Sequence, residues 1–181
     1  ISDSMRPVKL YSAMSLDGMI ARRNGDVSWL HDIPNPDGED HDYGKFMDTI
    51  DTTIMGHTTY QQVLGFDMDF PYHGKKNFVL TRNRNLDRDE NVTFISGDIA
   101  EFVRTIKAAS GKDIWLIGGS QVNTLFMNHA WIDEMWIYVM PVILGPGIPL
   151  FQSIEDDRRF HLADFRKYRT GIIKMVYKAG K

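Results

Sequence analysis

Cysteine is missing from the chain, which excludes disulfides and thiolate metal sites and fits a reducing, cytoplasmic setting. No apolar run approaches the roughly 18–20 residues that a membrane-spanning helix needs, and no secretory leader is recognisable. Runs of Lys or Arg are lacking as well. The 21 basic and 24 acidic residues leave a formal net charge of -3, which offers nucleic acid no electrostatic footprint. Repeats, low-complexity tracts and linkers are not found. The six histidines (His31, His41, His57, His73, His129, His161) form no paired helical spacing and meet no acid cluster, so no metal site is expected. What is present is 181 residues, 43% of them hydrophobic, enough for one globular domain with a full core over residues 5–181. Ile1-Ser2-Asp3-Ser4 precede Met5 and read as a remnant outside the fold.

The most informative stretch is Ile114-Trp115-Leu116-Ile117-Gly118-Gly119-Ser120-Gln121-Val122. Four consecutive apolar residues read as a strand buried on both faces, as in a parallel sheet. Two glycines turn the chain, and Ser120 is placed to cap a helix carrying Val122, Leu125 and Phe126 at helical spacing. Such a turn presents free backbone N–H groups and the positive end of a helix dipole. That suits a phosphate or pyrophosphate, although an ordinary tight turn looks the same.

Around it the chain alternates. Strands are expected over residues 8–14, 52–55, 77–80, 92–95 and 114–117, with a long β stretch over 135–143. Two terminal strands follow, 160–166 and 172–177, turned at Thr170-Gly171. Tyr43, Phe46, Met47 and Ile50 have helical spacing, so residues 40–50 read as an amphipathic helix with acids at its start. A second helix starts near Thr58, and Asp98 with Glu101 resembles a capping box opening a third. A Pro-, Asp- and Gly-rich loop spans 32–39. This order implies an α/β three-layer sandwich with a mixed, mainly parallel sheet and antiparallel edges. Ligands of such sheets bind beyond the carboxyl ends of the strands, here Met14-Ser15, Gly56-His57-Thr58, Thr81-Arg82 and Gly118-Gly119.

Several segments together carry a family resemblance. They are Ser15-Leu16-Asp17-Gly18-Met19-Ile20-Ala21, Trp29, Ile54-Met55-Gly56-His57-Thr58-Thr59-Tyr60, Gly74 through Thr81, Ile117-Gly118-Gly119-Ser120, and Asp133 through Phe151. In this order the chain resembles the dihydrofolate reductase-like superfamily, in the branch of the riboflavin-biosynthesis reductase domain. The resemblance implies an NADPH-dependent reductase with a sheet of about eight strands and a cis Gly118–Gly119 peptide. Hydride would pass to a C=N or C=O of a small heterocyclic substrate. The reductase of 5-amino-6-(5-phosphoribosylamino)uracil is the nearest activity implied. Dihydrofolate reduction and a non-catalytic dinucleotide-binding module are the alternatives.

The same resemblance implies site roles. The cofactor would contact Ala13, Gly56, His57, Thr58, Thr59, Thr81, Arg82, Ile117, Gly118, Gly119, Ser120, Gln121 and Val122. His57 stands where the family usually has an arginine, and one imidazole donor replaces a charged fork. Arg82 would grip the 2′-phosphate. Asp17 lies in the turn over the nicotinamide, and a good turn dipeptide is its plainer reading. Trp29 would wall the site or belong to the core. Asp40, with Asp42 or a water as alternative, would be the proton donor and substrate anchor. Phe46 and Lys75 would line the substrate side, although Lys75 replaces a carboxylate-clamping arginine and Ile117 replaces an acid. Trp136, Tyr138 and Met140 alternate with Ile137, Val139 and Pro141, an apolar edge from which a homodimer through the C-terminal β region is expected.

Overall fold

Residues 5–180 are described by a computed structural model; the expectation for Ile1 to Ser4 lies outside them. In chain order come β1 (Val8–Met14), β2 (Met19–Arg22), a 3-10 turn (Ser28–Asp32), α1 (Tyr43–Thr49), β3 (Ile50–Gly56) and α2 (His57–Leu64). Next are β4 (Lys76–Leu80), β5 (Thr93–Ile95), α3 (Ile99–Ala108), β6 (Asp113–Gly118), α4 (Ser120–Asn128) and β7 (Glu134–Val139). β8 (Gly147–Pro149), β9 (Phe160–Lys167) and β10 (Ile173–Ala179) complete the chain. Eight strands form one sheet in the order β5-β4-β3-β6-β1-β7-β10-β9, and β2 with β8 makes a separate ribbon. Neighbours from β5 to β7 are parallel, whereas β10 runs antiparallel to both β7 and β9.

The near-continuous apolar strands are explained by helices on both faces of the sheet. Val8, Leu10, Ile54, Ile114 and Leu116 pack with Val103 and Ile106 of α3 and Phe126 and Met127 of α4. On the opposite face Met55 and Val79 meet Tyr60 and Val63 of α2. Trp115 and Ile50 meet Phe46 of α1 there. Each fully buried side chain of this kind contributes about 1.5–3 kcal/mol. α3 starts where its capping box places it: Asp98 accepts the Glu101 N–H at 2.9 Å. The three-layer, mainly parallel α/β architecture matches the reading of the sequence.

Four details differ from that reading. α1 begins at Tyr43, three residues late, because His41 (φ 55°) and Asp42 (φ 64°) hold left-handed backbone that no helix continues through. Ser120 does not cap α4; Gly119 is the N-cap and no side chain caps that end. β7 stops at Val139, two residues before Pro141, which has no N–H to extend a ladder. Finally, β7 is not an edge. β10 pairs along it from Ile173 to Lys178, so the chain covers this strand itself, and the exposed apolar residues are Leu162, Phe165 and Ile173 further out.

Candidate functional site

The carboxyl ends of β1, β3, β4 and β6 converge, and two helices start there. α2 follows Gly56 directly and α4 follows Gly119; neither has a side-chain cap hydrogen bond, in contrast to α3. The two starts nearly touch. A Cβ on Gly119 would lie 3.2 Å from Thr59 Oγ1, and one on Gly56 would lie 3.0 Å from Val122. The Gly118–Gly119 peptide is cis, and Gly118 has φ +113°, a region that favours glycine. Behind this turn Asn123 is buried, its Oδ1 3.2 Å from where a Gly118 Cβ would be and its Nδ2 donating to the Leu150 carbonyl at 3.3 Å. Ser120 is 5% exposed and its hydroxyl has no hydrogen-bond partner. Buried polar atoms without partners are rare. An unpartnered hydroxyl beside two uncapped helix starts fits a ligand rich in anionic oxygen.

The other cofactor candidates surround this point. Thr81 Oγ1 accepts from the Asn83 N–H at 3.1 Å and lies 3.3 Å from His57 Nδ1. Phe94 packs edge-on to the His57 ring. Arg82, Thr58 and Gln121 are exposed, and Thr59, Ala13, Ile117 and Val122 are half-buried. The residues present thus fit a dinucleotide: amides and hydroxyls for the pyrophosphate, and an exposed guanidinium after β4 for a further phosphate.

The three residues assigned to catalysis have different surroundings. Asp17 accepts from the Ser15 hydroxyl at 2.5 Å, the Leu144 N–H at 3.1 Å and the Gly145 N–H at 2.8 Å. The Ser15 bond, then the Leu144 and Gly145 amides, hold its carboxyl down to about 2 against the effect of burial. Asp17 therefore ties the turn after β1 to the loop before β8. Trp29 is 2% exposed in a cluster with Tyr138, Met140, Tyr168 and Ile172, and its indole N–H has no partner. Asp40 is exposed, and its carboxylate accepts from the N–H groups of Asp42 (3.0 Å) and Gly44 (3.2 Å) at the head of α1.

Asp42 sits deeper. Lys174 Nζ and the Tyr168 hydroxyl donate to its Oδ2 at 2.9 and 2.8 Å, and Arg166 donates to its Oδ1 at 3.0 Å. Burial opposes ionisation, but the Lys174 and Tyr168 hydrogen bonds and the charges of Lys174 and Arg166 outweigh it and hold the carboxyl down to about 2. Asp42 is an ionised anchor and carries no proton at neutral pH.

Of the residues expected to line a substrate, Phe46 is fully buried against Tyr11 and Trp115. Lys75 points away from a clamping role: its ammonium donates to the Met47 and Ile50 carbonyls at 3.1 and 2.8 Å, at the C-terminal end of α1. Residues that the motifs did not single out occupy this side. Tyr11, Tyr72 and Trp115, with Tyr43 at the start of α1, form a continuous set of edge-to-face rings. Tyr11, Ala13 and Ile117 are half-buried in central strands, on the face they share with Trp115. The available signal was the aromatic residues at positions 11 and 115, in strands that otherwise read as aliphatic. Among the described residues no group of His, Cys, Asp or Glu could hold a metal ion, and no helix is long and apolar enough to cross a membrane.

Comparison with known proteins agrees with this architecture. YwjB of Bacillus subtilis (strain 168), an uncharacterized protein, is 38% identical over 168 residues, covering 92% of this chain and 95% of YwjB. A crystal structure from Shewanella sp. PV-4, described as a riboflavin biosynthesis protein by inference, superposes with a TM-score of 0.87 at 30% identity, over 97% of this chain and 99% of that one. Dihydrofolate reductase from Enterococcus faecalis, complexed with NADP(H) and RAB-propyl, shares the fold at a TM-score of 0.68 and 14% identity, over 97% of each chain. The family profile described as RibD C-terminal domain matches residues 6–174, and the chain belongs to that family.

Proposed function

We propose that the protein is an NADPH-dependent reductase that transfers hydride to a C=N or C=O of a small heterocyclic substrate, in the manner of the 5-amino-6-(5-phosphoribosylamino)uracil reductases. Membership of the RibD C-terminal domain family supports an oxidoreductase. The observation that carries the reading is the unpartnered Ser120 hydroxyl where two uncapped helix starts meet. Bound NADPH would supply the hydride. The amides opening α2 and α4, with Ser120 and Thr59, would hold its pyrophosphate; Arg82 and His57 would meet its remaining phosphate; and Ala13 and Ile117 would give the nicotinamide a small apolar floor. Trp29 walls that floor, and Asp17 holds the turn above it. Asp40, at the exposed rim, passes a solvent proton to the reduced heteroatom.

Titration with NADPH, followed by its fluorescence and by thermal shift, tests the cofactor. Oxidation of NADPH with dihydrofolate, the ribosylaminouracil phosphate and simple carbonyls then tests the reaction. Binding with turnover of the uracil supports the reading, and no binding at millimolar NADPH rejects it. A non-catalytic dinucleotide-binding module is the second reading, favoured by the engagement of Asp40 with backbone N–H groups. NADPH binding without turnover of any substrate would select it.

We further propose a homodimer through the C-terminal β region. Phe165, Leu162 and Ile173 are 67%, 51% and 42% exposed on neighbouring β9 and β10. Together they form an apolar patch of the kind that marks an interface. Sedimentation should give a dimer that Phe165→Lys converts to monomer, and a monomeric parent protein would reject it.

A further inference from the structure

We infer that His57 meets the 2′-phosphate of the cofactor as a cation, so that the preference for NADPH over NADH strengthens as the medium turns acidic. This rests on the proposed NADPH seat. A histidine stands where the family usually has a permanently charged arginine, and imidazole changes its charge between about pH 5 and 8. His57 is half-buried and is the first residue of α2, a helix with no side-chain cap hydrogen bond and no acid in its first turn. At the adjoining start of α4 the Ser120 hydroxyl, 5% exposed, has no partner. Both features point to anionic oxygen across these helix starts.

The surroundings of the ring accept either charge state. Thr81 Oγ1 lies 3.3 Å from His57 Nδ1 and already accepts the Asn83 N–H at 3.1 Å, which leaves it one hydrogen and one lone pair. That hydroxyl can donate to Nδ1 of a neutral ring or, turned about its C–O bond, accept from Nδ1–H of a charged one. Nε2 has no hydrogen-bond partner among the described residues. Phe94 lies edge-on to the ring at 5.7 Å. The elements against His57 bring no negative charge. Thr81 and Phe94 are neutral, α2 has no Asp, Glu, Lys or Arg, and Arg82, the residue after Thr81, is a cation. Among the described residues no carboxylate pairs with the ring. An imidazolium at the positive end of a helix therefore lacks a counter-charge until a phosphate dianion supplies one. Arg82 would serve that phosphate at any pH, and His57 adds a contribution that comes with a proton taken from solvent. NADH, without the 2′-phosphate, draws no such proton.

Calorimetry with NADPH and NADH tests this, the proton count coming from two buffers of different ionisation enthalpy. At pH 7 NADPH binding should take up protons and NADH binding should not. The second ionisation of the phosphate, at about 6, works the other way, because binding as the dianion releases protons; uptake thus identifies a group on the protein. His57→Gln keeps an N–H donor without the charge. Its NADPH affinity should fall about tenfold at pH 6, roughly one charge-assisted hydrogen bond, and stay within about twofold at pH 8. The ratio of parent to variant cancels the ionisation of the phosphate itself. His57→Arg should bind NADPH with no uptake. No uptake by the parent protein, equal uptake with NADH, or an equal loss in His57→Gln at both pH values would overturn the inference. Should His57→Gln not fold, the proton count on the parent protein decides. NADPH binding without proton uptake rejects this role of His57 alone, whereas no binding of either cofactor at millimolar concentration rejects the seat as well.

Discussion

Lys174 Nζ lies 2.9 Å from Asp42 Oδ2, with the lysine side chain 5% and the aspartate side chain 12% exposed. The pair joins β10 to the left-handed residues ahead of α1. Removing one partner leaves the other charge buried, so Asp42→Asn should cost on the order of 3 kcal/mol in urea unfolding at pH 7. The sign with pH follows from the depressed carboxyl: its stabilisation is present above the ordinary value of 3.8 and is lost as pH falls toward about 2. The stability gap between parent and variant should therefore close across that window. A gap of the same size at pH 7 and pH 2.5 would contradict the assignment.

Lys75 acts on the other end of α1. Lys75→Met should lower stability by about 1–2 kcal/mol, because the Met47 and Ile50 carbonyls lose a charged donor. NADPH affinity should stay within about twofold. A variant of unchanged stability with a raised KM for a carboxylate-bearing substrate would return Lys75 to a clamping role.

Ser120→Ala separates ligand binding from folding. A hydroxyl with no partner adds nothing to the folded state, so the melting temperature should hold or rise slightly. NADPH affinity should fall about tenfold if that hydroxyl meets a phosphate. Calorimetry beside a thermal melt checks both.

Replacement of Arg82 by Ala should reduce the preference for NADPH over NADH by about 1–3 kcal/mol, read as the ratio of the two dissociation constants. Equal loss for both cofactors would place the guanidinium elsewhere.

The alkaline limb is set by phenols. Burial pushes Tyr72 up to about 12 and raises Tyr43 as well. Raised groups stabilise fully below their unfolded value near 10, and that contribution is lost as pH climbs toward 12. Stability should fall between pH 10 and 12 as phenolate absorbance near 295 nm rises. A phenolate spectrum complete by pH 10.5 in the folded protein would disprove the burial.

The sheet and its two helix faces were legible because strand–helix alternation and buried apolar runs are local signals. The Gly118–Gly119 turn was legible too, since glycines between a buried strand and a helix leave few alternatives. The true start of α1 was not: His and Asp tolerate left-handed backbone better than most residues, but what holds it here is Lys174 and Thr170, more than a hundred positions away. Lys75 and Asp17 carried plausible ligand roles in the sequence. Only three-dimensional pairing shows each satisfied by its own chain. The aromatic cluster was hidden for the same reason, as Tyr11, Tyr43, Tyr72 and Trp115 come from four separate segments.

Both ends of α1 are fastened, by Asp42 to β9 and β10 and by Lys75 at the other terminus. A span of seven residues, about 10 Å long, is thus clamped like a short beam over the aromatic cluster. Exchanges along its underside, at Tyr43 or Met47, can reshape what fits below without shifting the beam. Side-chain exchange there can therefore alter the surface beneath α1 while the backbone and the helix starts after Gly56 and Gly119 stay fixed.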